Sequence, residues 1–244
     1  MTDGLLLLHA FPVDARMWRP QLDATRERLP IAAPDHPGFG RSADVPDVMT
    51  MELAARSAVA ALDEARIDRA VVCGLSMGGY VAFELWRRSG DRIAGLVLAN
   101  TRAGADAPEA AANRRGLAER LLREGKAFFA DGPPGLLSDH ADDDVRARVR
   151  DLIADQPAAA IAAASLGMAE RPDSTPDLPG IDVPTLVITS SDDTLIPPDV
   201  SAPMAERIPD ARLAVIDGAG HLSNLERPDD FTRLLGEHLS RCGL

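Results

Sequence analysis

What the chain is short of narrows the reading first. It has only two cysteines in 244 residues, Cys73 in a predicted buried strand and Cys242 two residues from the C-terminus, so a disulfide framework is excluded. A cysteine inside a strand is far more often a small core residue than a nucleophile. No stretch approaches the roughly 18 apolar residues of a membrane-spanning helix. The opening MTDGLLLLHAFP has an acid and four leucines where a secretory leader needs a basic region and a longer apolar stretch. The expectation is a soluble, cytoplasmic protein. Basic residues are the scarcer charge, 26 against 38 acidic, for a net charge of −12. They are dispersed without a stripe, which argues against nucleic acid and against an anionic membrane surface as partners. There is also no internal repeat and no low-complexity tail.

What is present is a rhythm of short apolar runs separated by helical stretches. The runs are Leu5 to Leu8, Ile31 to Ala33, Ala70 to Cys73, Leu96 to Ala99, Leu186 to Ile188 and Leu213 to Ile216. They are continuously apolar rather than alternating, as in strands covered on both faces, so the expected fold is α/β with a mostly parallel sheet of about six strands flanked by helices. Thr50 is an expected N-cap for a helix within 49–65, whose Leu53, Ala54, Ser57, Ala58, Ala61 and Leu62 form one stripe. A helix starts by Val81, and another runs from Pro228 to Leu239, with Phe231, Leu234, Leu235 and Leu239 at helical spacing and His238 on its polar part.

From Thr101 to Pro179 the strand rhythm stops and Ala-rich, charged helical segments take over. The expected organisation is a core domain from 1–100 and 180–244, with 101–179 inserted as a helical cap at the side where the strands end. Asp142, Asp143 and Asp144 near His140 raise the question of a metal site. Acids just before an amphipathic stretch more often complement a helix N-terminus, and no metal is expected.

The stretch VVCGLSMGGY, 71–80, crowds three glycines around one serine directly after a β-branched run. Read as strand, turn and helix, Gly74-Leu75-Ser76-Met77-Gly78 is a G-x-S-x-G elbow, in which so tight a turn leaves no room for side chains two residues before and after the serine. The helix that follows aims its N-terminal amides at the same place and favours negative charge as it develops there.

A serine hydroxyl is a weak nucleophile and needs a base held by an acid. Of five histidines, His9 ends the first strand, His36 lies in a Pro/Gly loop, His140 falls in the insertion and His238 on the terminal helix. His221, in the Gly-rich loop after the last strand, is the expected base. The acid is sought in SSDDTLIPP after the strand from Thr185 to Thr189, where Asp193 is preferred and Asp192 is the alternative. The other loop that could carry it, after Leu96 to Ala99, has Asn100 and Thr101, which cannot hold the charge. The backbone amides of Met77 and Phe11 are the expected oxyanion donors.

These pieces in order, HAFP at 9–12, PDHPGFGRS at 34–42, GLSMGG at 74–79, SDDTLIP at 191–197 and GAGHLSNLERP at 218–228, resemble the α/β-hydrolase superfamily over nearly the whole chain. With LANTRAG at 98–104 they are most similar to the branch holding 3-oxoadipate enol-lactonases and small carboxylesterases. The resemblance implies a triad of Ser76, Asp193 and His221 with Phe11 and Met77 as oxyanion donors, no cofactor, and a small ester or lactone as substrate. The implied activity is that of a carboxylesterase, with an enol-lactonase, a cofactor-free haloperoxidase or perhydrolase, and a silent binding module as alternatives.

Three departures stand out. Ala10 replaces a usual glycine, Ser190 stands where glycine is frequent, and the β-hairpin that members carry before the first strand is missing. An uncovered edge is then expected, and a homodimer through it. His9 and Trp18 are read as packing residues, and Asp35 and Arg41 as braces of the PGFGRS turn. Phe128 and Phe129 either line an acyl pocket or hold the cap together.

Overall fold

A computed structural model describes residues 1–130 and 132–244. Six strands form one sheet: β1 Asp3–Leu8, β2 Ile31–Ala32, β3 Arg69–Leu75, β4 Ile93–Ala99, β5 Thr185–Ser190 and β6 Ala211–Ile216. Their order is β2-β1-β3-β4-β5-β6, and every pair is parallel. All six runs expected from the sequence are strands. The chain starts inside the sheet, steps outward to β2 and returns to the other side of β1. The loops after β1 and β3 therefore leave side by side at the switch point, where an open α/β sheet presents its ligand site.

The unbroken apolarity of the strands serves two cores. Leu6, Leu8, Val72, Leu96, Leu98 and Val187 belong to one face, while Leu5, Leu7, Val71, Cys73, Val97 and Ile188 belong to the other. Each of the four leucines of β1 is fully buried, worth about 1.5–3 kcal/mol apiece. Among the helices, α1 is Arg19–Thr25, α7 Pro198–Arg207 and α8 Ser223–Glu226. Helices α2 Met51–Glu64 and α3 Met77–Ser89 cover the first face, and the second is closed largely by α9 Pro228–Arg241 through Phe231, Leu235 and Leu239. Thr50 caps α2 as expected, its Oγ accepting from the Leu53 amide at 3.1 Å.

Two expectations need correction. His238 is buried, not on the polar part of α9, and burial together with Arg241 lowers its pKa to about 4. The last run is not covered on both faces either. As an edge strand β6 leaves Leu213 and Val215 about half exposed, which continuous apolarity alone does not foretell. The other edge, β2, is only two residues long and offers little backbone to pair.

Between β4 and β5 the chain adds α4 Pro108–Glu124, a short 3₁₀ turn Ala127–Phe129, α5 Asp143–Ala154 and α6 Ala158–Ala169. Helix α6, AAAIAAASLGMA, is apolar nearly all round because it is buried on nearly all sides. It lies along α4 and also meets the loop before α2, where the Met49 amide donates to Ala163 O at 3.1 Å. Asp143 and Asp144 form the acidic first turn of α5. Among the described residues no single helix is long and apolar enough to cross a membrane.

Candidate active site

The turn after β3 has the geometry its glycines imply. Ser76 sits at φ +56, ψ −114, a region that ordinary residues avoid. A Cβ on Gly74 would fall 2.3 Å from Gly78 O, and one on Gly78 would fall 2.1 Å from Leu8 O. Only glycine lets β3, the start of α3 and the end of β1 approach this closely. The Ser76 amide donates to Ala99 O at 2.9 Å and the Thr101 hydroxyl donates to Ser76 O at 2.8 Å, so the end of β4 holds the strained residue on both sides.

Ser76, His221 and Asp193, placed by three separate loops, meet in one line. Ser76 Oγ lies 2.7 Å from His221 Nε2, and His221 Nδ1 lies 2.8 Å from Asp193 Oδ2. A carboxylate only accepts, so Nδ1 carries the hydrogen and Nε2 is left to accept from the serine hydroxyl. The other carboxylate oxygen, Oδ1, accepts the amides of Leu195 and Ile196 at 2.9 Å each. Asp192, the alternative acid, is turned away and accepts from Ser191 Oγ. Ser76 is 9% exposed, Phe11 7%, His221 2% and Asp193 2%, so the line is closed off from bulk water.

Of the two expected oxyanion donors, Phe11 lies in the turn after β1 and Met77, next to Ser76, is the first residue of α3. Neither amide has an acceptor among the described residues, and a pair of free, oriented N–H groups is what a developing oxyanion requires. The loop carrying Phe11 is shaped by His9. The His36 amide donates to His9 Nε2 at 2.9 Å, which leaves Nδ1 to donate to Ala10 O at 2.9 Å. Burial lowers the pKa of His9 and takes that of His36 well below the usual range, so both rings stay neutral. Asp35 braces the neighbouring turn by accepting the amides of Ala15 and Arg41 at 2.9 Å each. Trp18 packs on Phe231 with ring centroids 5.8 Å apart.

The two phenylalanines of the insertion separate. Phe129 is buried against the Phe11 ring, centroids 6.2 Å apart, whereas Phe128 lies beneath the Arg120 guanidinium. Nearby, the loop bearing His221 is tied to the insertion. The Leu222 amide donates to Leu136 O at 3.0 Å, and buried Glu226 accepts from the Gly220 amide at 2.9 Å and from Ser138 Oγ at 2.6 Å. Cys73 is fully buried in β3, and burial pushes its thiol far up, which leaves no thiolate to act. Among the described residues no cluster of three or more His, Cys, Asp or Glu side chains could hold a metal ion.

Sequence reading passed over Asn100, Ser190, Ser223 and Glu226 as participants. In the sequence Asn100 stands out only as a residue unable to carry charge, and Ser190 only as a departure from glycine. Except for the bond from the Gly220 amide to Glu226, their side-chain hydrogen bonds cross separations of 30 to 123 positions, which no local pattern announces.

Comparison with known proteins agrees with this geometry. Residues 5–234 match the family described as Alpha/beta hydrolase family. The chain is 29% identical over 237 residues to 3-oxoadipate enol-lactonase 1 of Acinetobacter baylyi, covering 95% of this chain and 86% of that protein. A thermophilic esterase from Thermogutta terrifontis, solved with malate bound, superposes with a TM-score of 0.94 at 40% identity, covering 99% of this chain and 90% of the other. The enol-lactonase from Burkholderia xenovorans superposes with a TM-score of 0.86 at 30% identity, over 98% and 92% of the two chains.

Proposed function

We propose, for a chain that belongs to the alpha/beta hydrolase family, that it hydrolyses small carboxylic esters or lactones through an acyl-enzyme on Ser76. The observation that carries this reading is the unbroken line from Ser76 Oγ through His221 to Asp193, with contacts of 2.7 and 2.8 Å. Ser76 attacks the carbonyl carbon while His221 Nε2 takes its proton. The tetrahedral oxyanion forms against the amides of Phe11 and Met77, and His221 returns the proton to the leaving alkoxide. Water, deprotonated by the same imidazole, then releases the acid and restores the serine. Asp193 stays ionised throughout, holding the ring in its tautomer and opposing the charge of the imidazolium.

The insertion 101–179 acts as the cap of this site. Phe129, packed against Phe11, bounds the acyl side. An open-chain ester is the first choice because the esterase is the more similar of the two solved structures compared, at 40% against 30% for the enol-lactonase. A lactone is the second.

Hydrolysis of p-nitrophenyl butyrate at neutral pH by the parent and by Ser76→Ala tests the reading. The expected result is turnover that falls by about a millionfold in the variant. Equal rates in the two proteins would overturn it. A parallel rate on a five-membered lactone separates the two substrate classes.

A further inference from the structure

Asn100, directly after β4, is fully buried, with φ +44, a left-handed conformation that asparagine tolerates better than most residues. Its carboxamide is committed entirely to the loops bearing the acid and the histidine. Nδ2 donates to Asp193 Oδ2 at 2.9 Å and to Ser190 Oγ at 2.6 Å, and Oδ1 accepts from Ser223 Oγ at 2.6 Å. Ser190 Oγ donates onward to Gly220 O at 2.6 Å, beside His221. The neighbours on each side, Ala99 and Thr101, are the two residues that hold the backbone of Ser76. Three consecutive residues at one strand end thus touch the elbow, the acid loop and the histidine loop.

Resting on the reading of Ser76, His221 and Asp193 as one catalytic line, we propose that Asn100 is the positioning residue of that line. It keeps Asp193 Oδ2 aimed at His221 Nδ1 and locks the acid loop to the histidine loop. Asp193 receives four donors in all, two amides on Oδ1 and the imidazole and Asn100 on Oδ2, which leaves its carboxylate no free rotation. The titratable groups facing the Asn100 carboxamide through these contacts are Asp193 directly and His221 through it; Ser190 and Ser223 complete its shell. A neutral donor is needed at this place. A second carboxylate of the same shape would face Asp193 oxygen to oxygen.

The test follows p-nitrophenyl butyrate hydrolysis against pH for the parent, Ser76→Ala, Asn100→Gly and Asn100→Asp. Thermal unfolding and the downfield proton resonance of the imidazole Nδ1–H are recorded for each. Glycine accepts the left-handed backbone and deletes the carboxamide. Aspartate keeps the shape and the acceptor for Ser223 but turns the donor toward Asp193 into an acceptor.

Asn100→Gly is expected to lower kcat by about ten- to a hundredfold, the range of one hydrogen bond to a charged group, with KM little changed. In Asn100→Asp the two carboxyl groups share one proton, which donates as the amide did. Activity is then retained at low pH and lost as that proton leaves, giving a descending limb the parent lacks. The imidazole resonance moves in both variants. Ser76-dependent turnover with kcat and pH profile unchanged in both variants overturns the proposal. So does a loss in Asn100→Gly that tracks the folded fraction while the resonance stays in place. Parent activity that survives Ser76→Ala overturns instead the catalytic line itself, and the role of Asn100 with it.

Discussion

The strand-end loops and the 101–179 insertion differ in how they are held. At the strand ends the bonds are short, dry and mostly neutral: backbone amides on Asp193, the Asn100 carboxamide, serine hydroxyls and the neutral rings of His9 and His36. The insertion is anchored by its buried apolar helix α6 and, beyond that, by charge. Asp106, with no side-chain exposure, is surrounded by the guanidinium groups of Arg102, Arg114 and Arg171, and Arg171 also lies 4.1 Å over the Tyr80 ring of α3. Arg87, farther along α3, reaches Asp177 at 2.7 Å and Ser174 near the end of the insertion. Positions that must be accurate for chemistry are thus fixed by strained backbone and neutral hydrogen bonds. The insertion adds long charged side chains that pair with one another and with α3.

The sharpest way to break this contrast is to damage each region in turn. Asp193→Asn replaces the acid by an amide and removes the charge that opposes the imidazolium. It should lower kcat of the folded protein by about 10⁴-fold, with an unfolding midpoint lowered only by the amide nitrogen that now faces donors. Steady-state kinetics beside thermal unfolding check both halves of that statement. Asp106→Ala should do the reverse. It strands three arginines without their counter-charge, at a cost of about 3–5 kcal/mol in a urea titration, while specific activity of the molecules still folded stays within a fewfold of the parent. If Asp106→Ala abolished turnover in fully folded protein, the two regions would not be separable in this way.

Acid distinguishes them again. Burial keeps His238 neutral down to a pKa of about 4, against about 6.5 in an unfolded chain, and burial lowers His9 and His36 in the same direction. A depressed pKa contributes stability that is complete above the unfolded value and is lost as pH falls toward the folded one. The core is therefore expected to lose stability between about pH 6.5 and 4, roughly 3 kcal/mol for His238 alone. Asp106 behaves differently. Burial raises its pKa, but hydrogen bonds and charge from Arg171 and Arg114 outweigh that and hold it at about 2. Its contribution is complete above the ordinary aspartate range and fades only as pH falls toward 2. Urea midpoints measured from pH 7 to 3 should decline first through the histidine window, and His238→Gln should flatten that part of the curve.

The smallest expected effect concerns Phe129. Phe129→Ala should raise KM for a short acyl ester by about tenfold, the scale of a lost apolar contact in a substrate pocket, with kcat less affected. A lowered unfolding midpoint with unchanged KM would assign the ring to holding the insertion together.

The same contrast explains what the sequence made legible. The elbow was readable because a turn that brings Gly78 within reach of Leu8 O tolerates no side chain, so the constraint is written locally as glycine. His221 and Asp193 were readable because the loops after successive strands of a parallel sheet emerge at one edge. Asn100 escaped because its importance lies in three hydrogen bonds to residues 90, 93 and 123 positions away. Arg102, Arg114 and Arg171 escaped for a similar reason. They look like any other charges of the Ala-rich insertion until the chain folds Asp106 among them. His238 was misassigned because helical spacing locates a stripe but not how far neighbouring elements wrap over it.

The most direct measurement is of the covalent step itself. The parent and Ser76→Ala are treated with a fluorophosphonate, and the adduct is located by intact mass and peptide mapping. The expected result is one equivalent on the peptide containing Ser76, loss of ester hydrolysis in proportion to labelling, and no adduct in the variant. An adduct on another residue, or continued hydrolysis by fully labelled protein, would contradict the assignment of Ser76 as the nucleophile.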